Sequence, residues 1–267
     1  MTEKTYKWNP EDYAEHSTAQ YDFAKNLLRK LKLRGNETIL DIGCGDGKVT
    51  LEIAKLVPTG KTVGIDSSQE MLDFARTKFP TSLYPNLEFT LMDAREIDFE
   101  EKFDIVVSNS ALHWMADQRP ALKGIHKCLK PGGKAILHMA GKGNILAIVP
   151  AIGQIIDDPR WCDGIKNFKS PYGFYSADEY MPWIQEAGLK PIHVKLARRE
   201  WVLHGRKGFV GFIRTTWRPF IECVPKEHRE DFIAAIADKY FQIYPVDPNG
   251  IVAVPTMRLE IEAEKGP

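Results

Sequence analysis

Ile39-Leu40-Asp41-Ile42-Gly43-Cys44-Gly45-Asp46-Gly47 decides how the rest of the chain is read. Ile39, Leu40 and Ile42 suit a short buried strand, and three glycines at alternate positions, Gly43, Gly45 and Gly47, stop it and force a turn. Val49, Leu51, Ile53, Ala54 and Leu56 then fall near helical spacing, which gives the order strand, glycine-rich turn, helix N-terminus. Such a turn can cradle a small molecule. Glycine has no Cβ to keep a ligand off the backbone, and the first amides of the helix point outward without partners. An inert αβ connection is the alternative. A dinucleotide fingerprint needs a further glycine where Lys48 stands, so the pattern is a different one.

Working outward, 267 residues suffice for one α/β core with an appended subdomain. Lys plus Arg and Asp plus Glu both total 36, and this balance offers no basic field for nucleic acid. Cys44, Cys128, Cys162 and Cys223 are scattered, with no C-x-x-C spacing, so neither a disulfide framework nor a metal site is expected. No apolar run approaches the roughly 20 residues of a spanning helix, and the first residues lack the apolar core of a signal peptide. The expectation is a cytoplasmic protein with no membrane and no nucleic-acid partner.

Upstream of the glycines, Tyr21, Ala24, Leu27, Leu28 and Leu31 have helical spacing within residues 8–31, and Tyr13, Ser17 and Gln20 would share one helix face. Downstream, residues 61–66 read as a second strand ending in Asp66, at the separation where doubly wound folds set an acid against a ribose. Asp66 as a helix cap is the alternative, although Ser67 or Ser68 can cap the helix that carries Met71, Leu72, Ala75 and Phe79. Residues 87–93 form a third strand ending in Asp93, which is either a ligand-facing acid or a turn residue. A fourth strand, 103–109, ends at Asn109 and leads to His113 and Trp114, which are pocket wall or core. A helix over 121–129 stops at Lys130-Pro131-Gly132-Gly133, and a fifth strand follows over 134–139. Beyond residue 140 the alternation ends. Helical spacing recurs over 145–156, 176–187, 209–217 (stopped at Pro219) and after Pro225, with strands over 190–203 and 252–261.

The glycine turn, the acid ending strand two and the Leu-Lys-Pro-Gly-Gly turn before strand five together resemble the class I S-adenosylmethionine-dependent methyltransferases. That resemblance implies an α/β fold, a doubly wound, mostly parallel seven-stranded Rossmann-like sheet with a helical cap subdomain. It divides the chain into a lid and cofactor-binding core (1–140), a mainly helical cap that lends a core strand near 190–203 (141–250), and a closing strand (251–267). It also implies S-adenosyl-L-methionine as cofactor, with Gly43, Gly45 and Gly47 at the methionyl part, Asp41 at its amino group and Asp66 at the ribose. Asp93 and Ala94 would meet the adenine, and Asn109 the sulfonium through its backbone carbonyl; Ser67, Met71 and Gln20 complete the set. The string Trp201–Gly205, Phe209–Pro219 and Arg258–Glu262, with Trp8-Asn9-Pro10, is similar to the trans-aconitate methyltransferases. By that likeness Tyr13, Ser17, Trp114, His204, Arg214 and Arg218 are substrate-binding candidates.

A sulfonium methyl group is intrinsically electrophilic, so the protein has mainly to align a nucleophile against it. A carboxylate acceptor is already ionised at neutral pH and asks only for a cationic clamp. An alcohol, phenol or amine asks for a base, and His113 and His204 are the catalytic candidates. Arg214 and Arg218 share a helix face and could grip a carboxylate, or they could be surface arginines paired with neighbouring acids. The expected partner is a small-molecule acceptor, a carboxylic acid. The rivals are a methyltransferase with an N, C or hydroxyl-oxygen acceptor, and a non-catalytic cofactor-binding regulator.

Overall fold

The computed structural model describes residues 8–267. Its seven strands are β1 (Thr38–Ile42), β2 (Lys61–Asp66), β3 (Leu87–Leu91), β4 (Phe103–Asn109), β5 (Leu129–Ala140), β6 (Leu189–His204) and β7 (Ile251–Lys265), in one sheet of order β3-β2-β1-β4-β5-β7-β6. The first five run parallel, and β7 pairs antiparallel with both β5 and β6. Strand order reverses between β1 and β4, which opens a crevice at their carboxyl ends. The helices that precede the sheet are α1 (Pro10–His16) and α2 (Thr18–Leu28); α3 (Lys48–Leu56), α4 (Gln69–Lys78) and α5 (Arg119–Cys128) connect its parallel strands.

Burial follows that layering. Leu40, Ile42, Val63, Val106, Ala135 and Leu137 are fully buried in the sheet interior, as strands covered on both faces require. A second apolar cluster gathers Trp161, Phe209, Phe212, Phe232, Ile236 and Tyr240 around Trp201, Leu203, Val252 and Val254. These last four lie on the parts of β6 and β7 that continue past β5, whose final pair is Ala140 with Arg258. The β6–β7 ribbon therefore carries α6 (Val149–Gly153), α7 (Cys162–Lys166), α9 (Gly205–Thr216), α10 (Arg218–Ile221) and α11 (Arg229–Ile243), whereas α8 (Ala177–Glu186) packs on the sheet side with Tyr180 and Ile184.

Local structure departs from the sequence reading in three places. The helical pattern over residues 8–31 is broken at Ser17, which ends α1 and begins α2. Residues 145–156 form only the short α6 between turns, because Pro150 falls in the first turn of a helix and cannot extend one already running. Pro219 does not simply stop a helix. It sits in the first turn of α10, after α9 has closed at Trp217.

Candidate functional site

The turn after β1 is shaped by close approach. Gly43 has φ +73°, and a Cβ on it would lie 2.1 Å from the Ala111 Cβ, so the loops after β1 and β4 touch where only a glycine fits. Gly47 (φ +78°) begins α3, and a Cβ there would meet Phe89, Ala75 and Phe79: this glycine accommodates the core and not the cleft. Met71 packs against Gly45. Tyr13, Ser17, Gln20, Asp41, Gly43, Gly45, Asp46, Lys48 and Asn109 line one cleft, partly open to solvent, at the strand-order reversal. The break between α1 and α2 does not separate Tyr13, Ser17 and Gln20; all three border it.

The cleft is acidic. Asp41 is 3 % exposed and accepts a hydrogen bond from Thr50 Oγ1 at 2.8 Å; burial, partly offset by that bond, pushes its carboxyl up to about 7. Asp66 accepts from the Gly45 amide at 2.9 Å and from the Ser68 amide at 2.9 Å. Burial raises its pKa against those bonds, and nearby Asp93 adds to the rise. Ser68, not the exposed Ser67, caps α4 by accepting from the Met71 amide. Lys48 answers Asp46 at 3.1 Å and donates to Ala14 O at 2.6 Å. Asp41 and Asp66 have no such cation among the described residues, so the cleft favours a ligand that brings positive charge.

Asp93 is more engaged than the sequence suggests. Its two oxygens accept from Arg95 Nε at 3.0 Å and Nη2 at 2.6 Å, and it caps the turn Ala94–Glu96, so the turn role is real. Burial would raise its carboxyl, but the Arg95 hydrogen bonds hold it below the usual range.

Across the cleft, Asn109 Nδ2 donates to Gln20 O at 3.1 Å, and Ser110 stands in the left-handed region at φ +61°. His113 and Trp114 follow in a turn, with His113 facing the rings of Trp114, Tyr172 and Phe174 at 5.8, 6.4 and 6.0 Å. Burial, with Arg258 nearby, lowers His113 to about 3, so its imidazole is neutral and weakly basic. Trp8 bridges Tyr13 and Trp114, at 5.8 and 5.0 Å, and makes an aromatic wall with these two candidates.

The remaining substrate candidates are not brought to this cleft. His204 is exposed at the far end of the β6–β7 ribbon, paired with Ile251. Arg214 pairs with Glu230 at 3.0 Å and lies 3.9 Å from Asp12, and Arg218 pairs with Glu222 at 2.7 Å. The surface-pair alternative thus describes Arg218, whose partner Glu222 stands four residues on, while the Arg214 partner Glu230 comes from a neighbouring helix. The buried cation is instead Arg258 of β7, 2 % exposed, which donates through Nη2 to Asn109 Oδ1 at 3.3 Å and to Ser110 Oγ at 3.0 Å. A charged residue inside an alternating strand was the signal available for it.

Comparison with known proteins bears on this site. A methyltransferase domain family matches residues 39–133, from β1 and the glycine turn to the start of β5. An uncharacterized methyltransferase of Schizosaccharomyces pombe is 30 % identical over 201 residues, covering 74 % of this chain and 76 % of that protein. The chain belongs to the class I S-adenosylmethionine-dependent methyltransferases. It is also 27 % identical to a trans-aconitate 2-methyltransferase of Methylobacterium radiotolerans over 97 % of this chain and 98 % of that one. Phosphoethanolamine N-methyltransferase 2 of Haemonchus contortus, solved with S-adenosyl-L-methionine, shares the fold at a TM-score of 0.62 and 15 % identity, over 97 % of this chain and 58 % of that one. S-Adenosyl-L-methionine is thus the cofactor of this methyltransferase, and the cleft's lining fits it: a buried Asp41 with no cation paired to it among the described residues, Gly43 and Gly45 without Cβ atoms, and a buried Gln20 Oε1 with no partner among the described residues. No helix among the described residues is long and apolar enough to cross a membrane.

Proposed function

We propose that this methyltransferase esterifies a carboxylate of a small organic acid of the trans-aconitate type. When bound, the cofactor supplies an electrophilic methyl group on a sulfonium. In this reading Gly43 and Gly45 expose their backbone to the methionyl part, with Gly47 setting the start of α3, and Asp41 faces its amino group. Asp66 accepts from the ribose beside Ser67 and Met71. Asp93, whose Oδ2 keeps a second lone pair beside Arg95, meets the adenine edge with Ala94. Gln20 and the Asn109 backbone carbonyl close the cleft near the sulfonium. Tyr13, Ser17 and Trp114 wall the acceptor side, and residues 141–250 form the cap over it, with 1–140 as lid and core and 251–267 as closing strand.

The observation that carries the carboxylate reading is His113. It follows Asn109 and Ser110 in the segment after β4, and burial among aromatic rings leaves it too weakly basic to take a proton from an alcohol or an ammonium. A carboxylate needs no proton removed, because it is ionised above about pH 5. His204, exposed on the ribbon, is excluded from the base role in this reading. Similarity to trans-aconitate 2-methyltransferases along nearly the whole chain supports it independently. The setting we infer is the cytoplasm, with a small acid as the partner.

The test is a screen of carboxylic acids, aconitate isomers included, for release of S-adenosylhomocysteine, with the product treated with mild alkali. We expect an alkali-labile methyl ester and, at saturating cofactor, a rate that is flat between pH 6 and 9, as expected when no base titrates (about pKa 3 for His113). A product that survives alkali points to a nitrogen, carbon or ether-oxygen acceptor and overturns the proposal.

A further inference from the structure

Arg258 combines properties that rarely coexist. It is 2 % exposed, yet among the described residues no carboxylate lies within ion-pair distance of it, and its Nη1 has no hydrogen-bond partner. Buried arginines are almost always paired, because a desolvated charge without a counter-ion is costly. Glu260, two residues along β7, is taken by Arg199 at 2.5 Å and by Lys30 and Lys195 at 3.5 Å each. The face of Phe23 covers the Arg258 guanidinium at 5.0 Å, an interaction weaker than an ion pair and displaceable by one. Burial lowers Arg258 only to about 10, so it remains charged at neutral pH.

Its position adds the second half of the argument. The guanidinium is bonded to Asn109 and Ser110, the residues that end β4 where the crevice opens, and Asn109 itself lines the cleft. Two more buried polar atoms without partners stand on the segments around it: Gln20 Oε1 on α2 and His113 Nδ1. Unpartnered buried donors and acceptors gathered on adjoining segments mark a place where a polar ligand completes the hydrogen bonding.

We propose that Arg258 is the anion receptor of the acceptor site, its guanidinium pairing with the carboxylate of the incoming acid. The inference rests on the carboxylic-acid reading above and replaces Arg214 and Arg218 as the clamp within it. A carboxylate fits better than a phosphate. One buried guanidinium beside a neutral imidazole balances the single charge of the one carboxylate group it meets, whereas a phosphate would concentrate two charges there. The planar fork also matches two carboxylate oxygens. A methyl ester carries no charge, so the same pairing favours the acid over its product.

The experiment uses the full chain loaded with S-adenosylhomocysteine and titrates in trans-aconitate, decanoate and trimethyl trans-aconitate by calorimetry. The variants are Arg258→Met, which keeps the length and removes the charge, and Arg258→Lys, which keeps the charge and removes the fork. We expect Arg258→Met to weaken binding of the acid about 30-fold or more, and Arg258→Lys by an intermediate factor. The triester should not distinguish the variants, and affinity for S-adenosylhomocysteine should stay within about twofold, which also reports that each variant is folded. Undiminished acid binding in Arg258→Met overturns the receptor role while leaving the carboxylic-acid reading standing. Parallel loss of acid and S-adenosylhomocysteine in both variants also overturns it, showing that Arg258 only props the Asn109 loop. Failure of both acids to bind the unmodified chain overturns the carboxylic-acid reading and the receptor with it.

Discussion

Replacing Gly43 by alanine probes the contact that builds the cofactor cleft. The added Cβ would stand 2.1 Å from the Ala111 Cβ, whereas carbon atoms rest about 3.5–4.0 Å apart, so the loops after β1 and β4 would have to separate by roughly 1.5 Å. Overpacking of that kind costs about 1–3 kcal/mol. The left-handed backbone at φ +73° costs an alanine about 1–2 kcal/mol more. Gly43→Ala should therefore lower stability by about 2–5 kcal/mol and weaken S-adenosylhomocysteine binding, because Ala111 follows Asn109 and Ser110 at the wall of the cleft. Ala111→Gly removes the offending atom, and the Ala111 Cα then lies 3.5 Å from the new methyl, an ordinary contact. By itself that second change costs about 0.5–1 kcal/mol through added chain entropy in the unfolded state. The double variant should then be about 1–3 kcal/mol more stable than the sum of the single effects. Urea unfolding followed by tryptophan fluorescence measures all three, with calorimetry for the ligand. Additive costs, or a double variant that gains no binding over Gly43→Ala, would refute the idea that direct loop contact shapes the site.

Asp41 should give stability a distinctive pH dependence. Its folded pKa of about 7 lies above the unfolded value near 3.9, so the native chain holds the extra proton between those limits, and stability falls as pH rises through about 7. The loss is about 2–4 kcal/mol; midpoints in urea at pH 5 and 8 should show it in the natural chain and not in Asp41→Asn, and equal slopes in both would dismiss it. A cationic ligand at Asp41 must release that proton, so S-adenosylhomocysteine should bind more tightly at pH 8 than at pH 6, with proton release visible by calorimetry in buffers of different ionisation enthalpy. Arg214→Ala, Arg218→Ala and His204→Ala should each cost less than about 1 kcal/mol and leave acid binding unchanged, since the arginines hold partly exposed ion pairs and the histidine is exposed away from the cleft; a loss of acid affinity in any of them would restore it to the acceptor site.

What the sequence determined by itself was everything written in local patterns of the backbone. Ile39–Gly47 specifies a strand that must turn, Asp66 ends the next strand at the crevice, and Lys130–Gly133 stops a helix and opens β5; these are short-range consequences of glycine, proline and burial periodicity, and together they give the parallel half of the sheet. The tertiary structure decided which charges are left over. Arg214 and Arg218 could be a clamp or surface pairs until Glu230 and Glu222 are seen beside them, and Arg258 looks like one letter in a strand until β7 delivers it to Asn109 with no acid of the described residues at ion-pair distance. Pairing of charges depends on neighbours distant in the chain, and desolvation on the whole fold around a group. For that reason neither the neutral His113 nor a buried Arg258 without an acid beside it among the described residues could be read before the sheet was assembled.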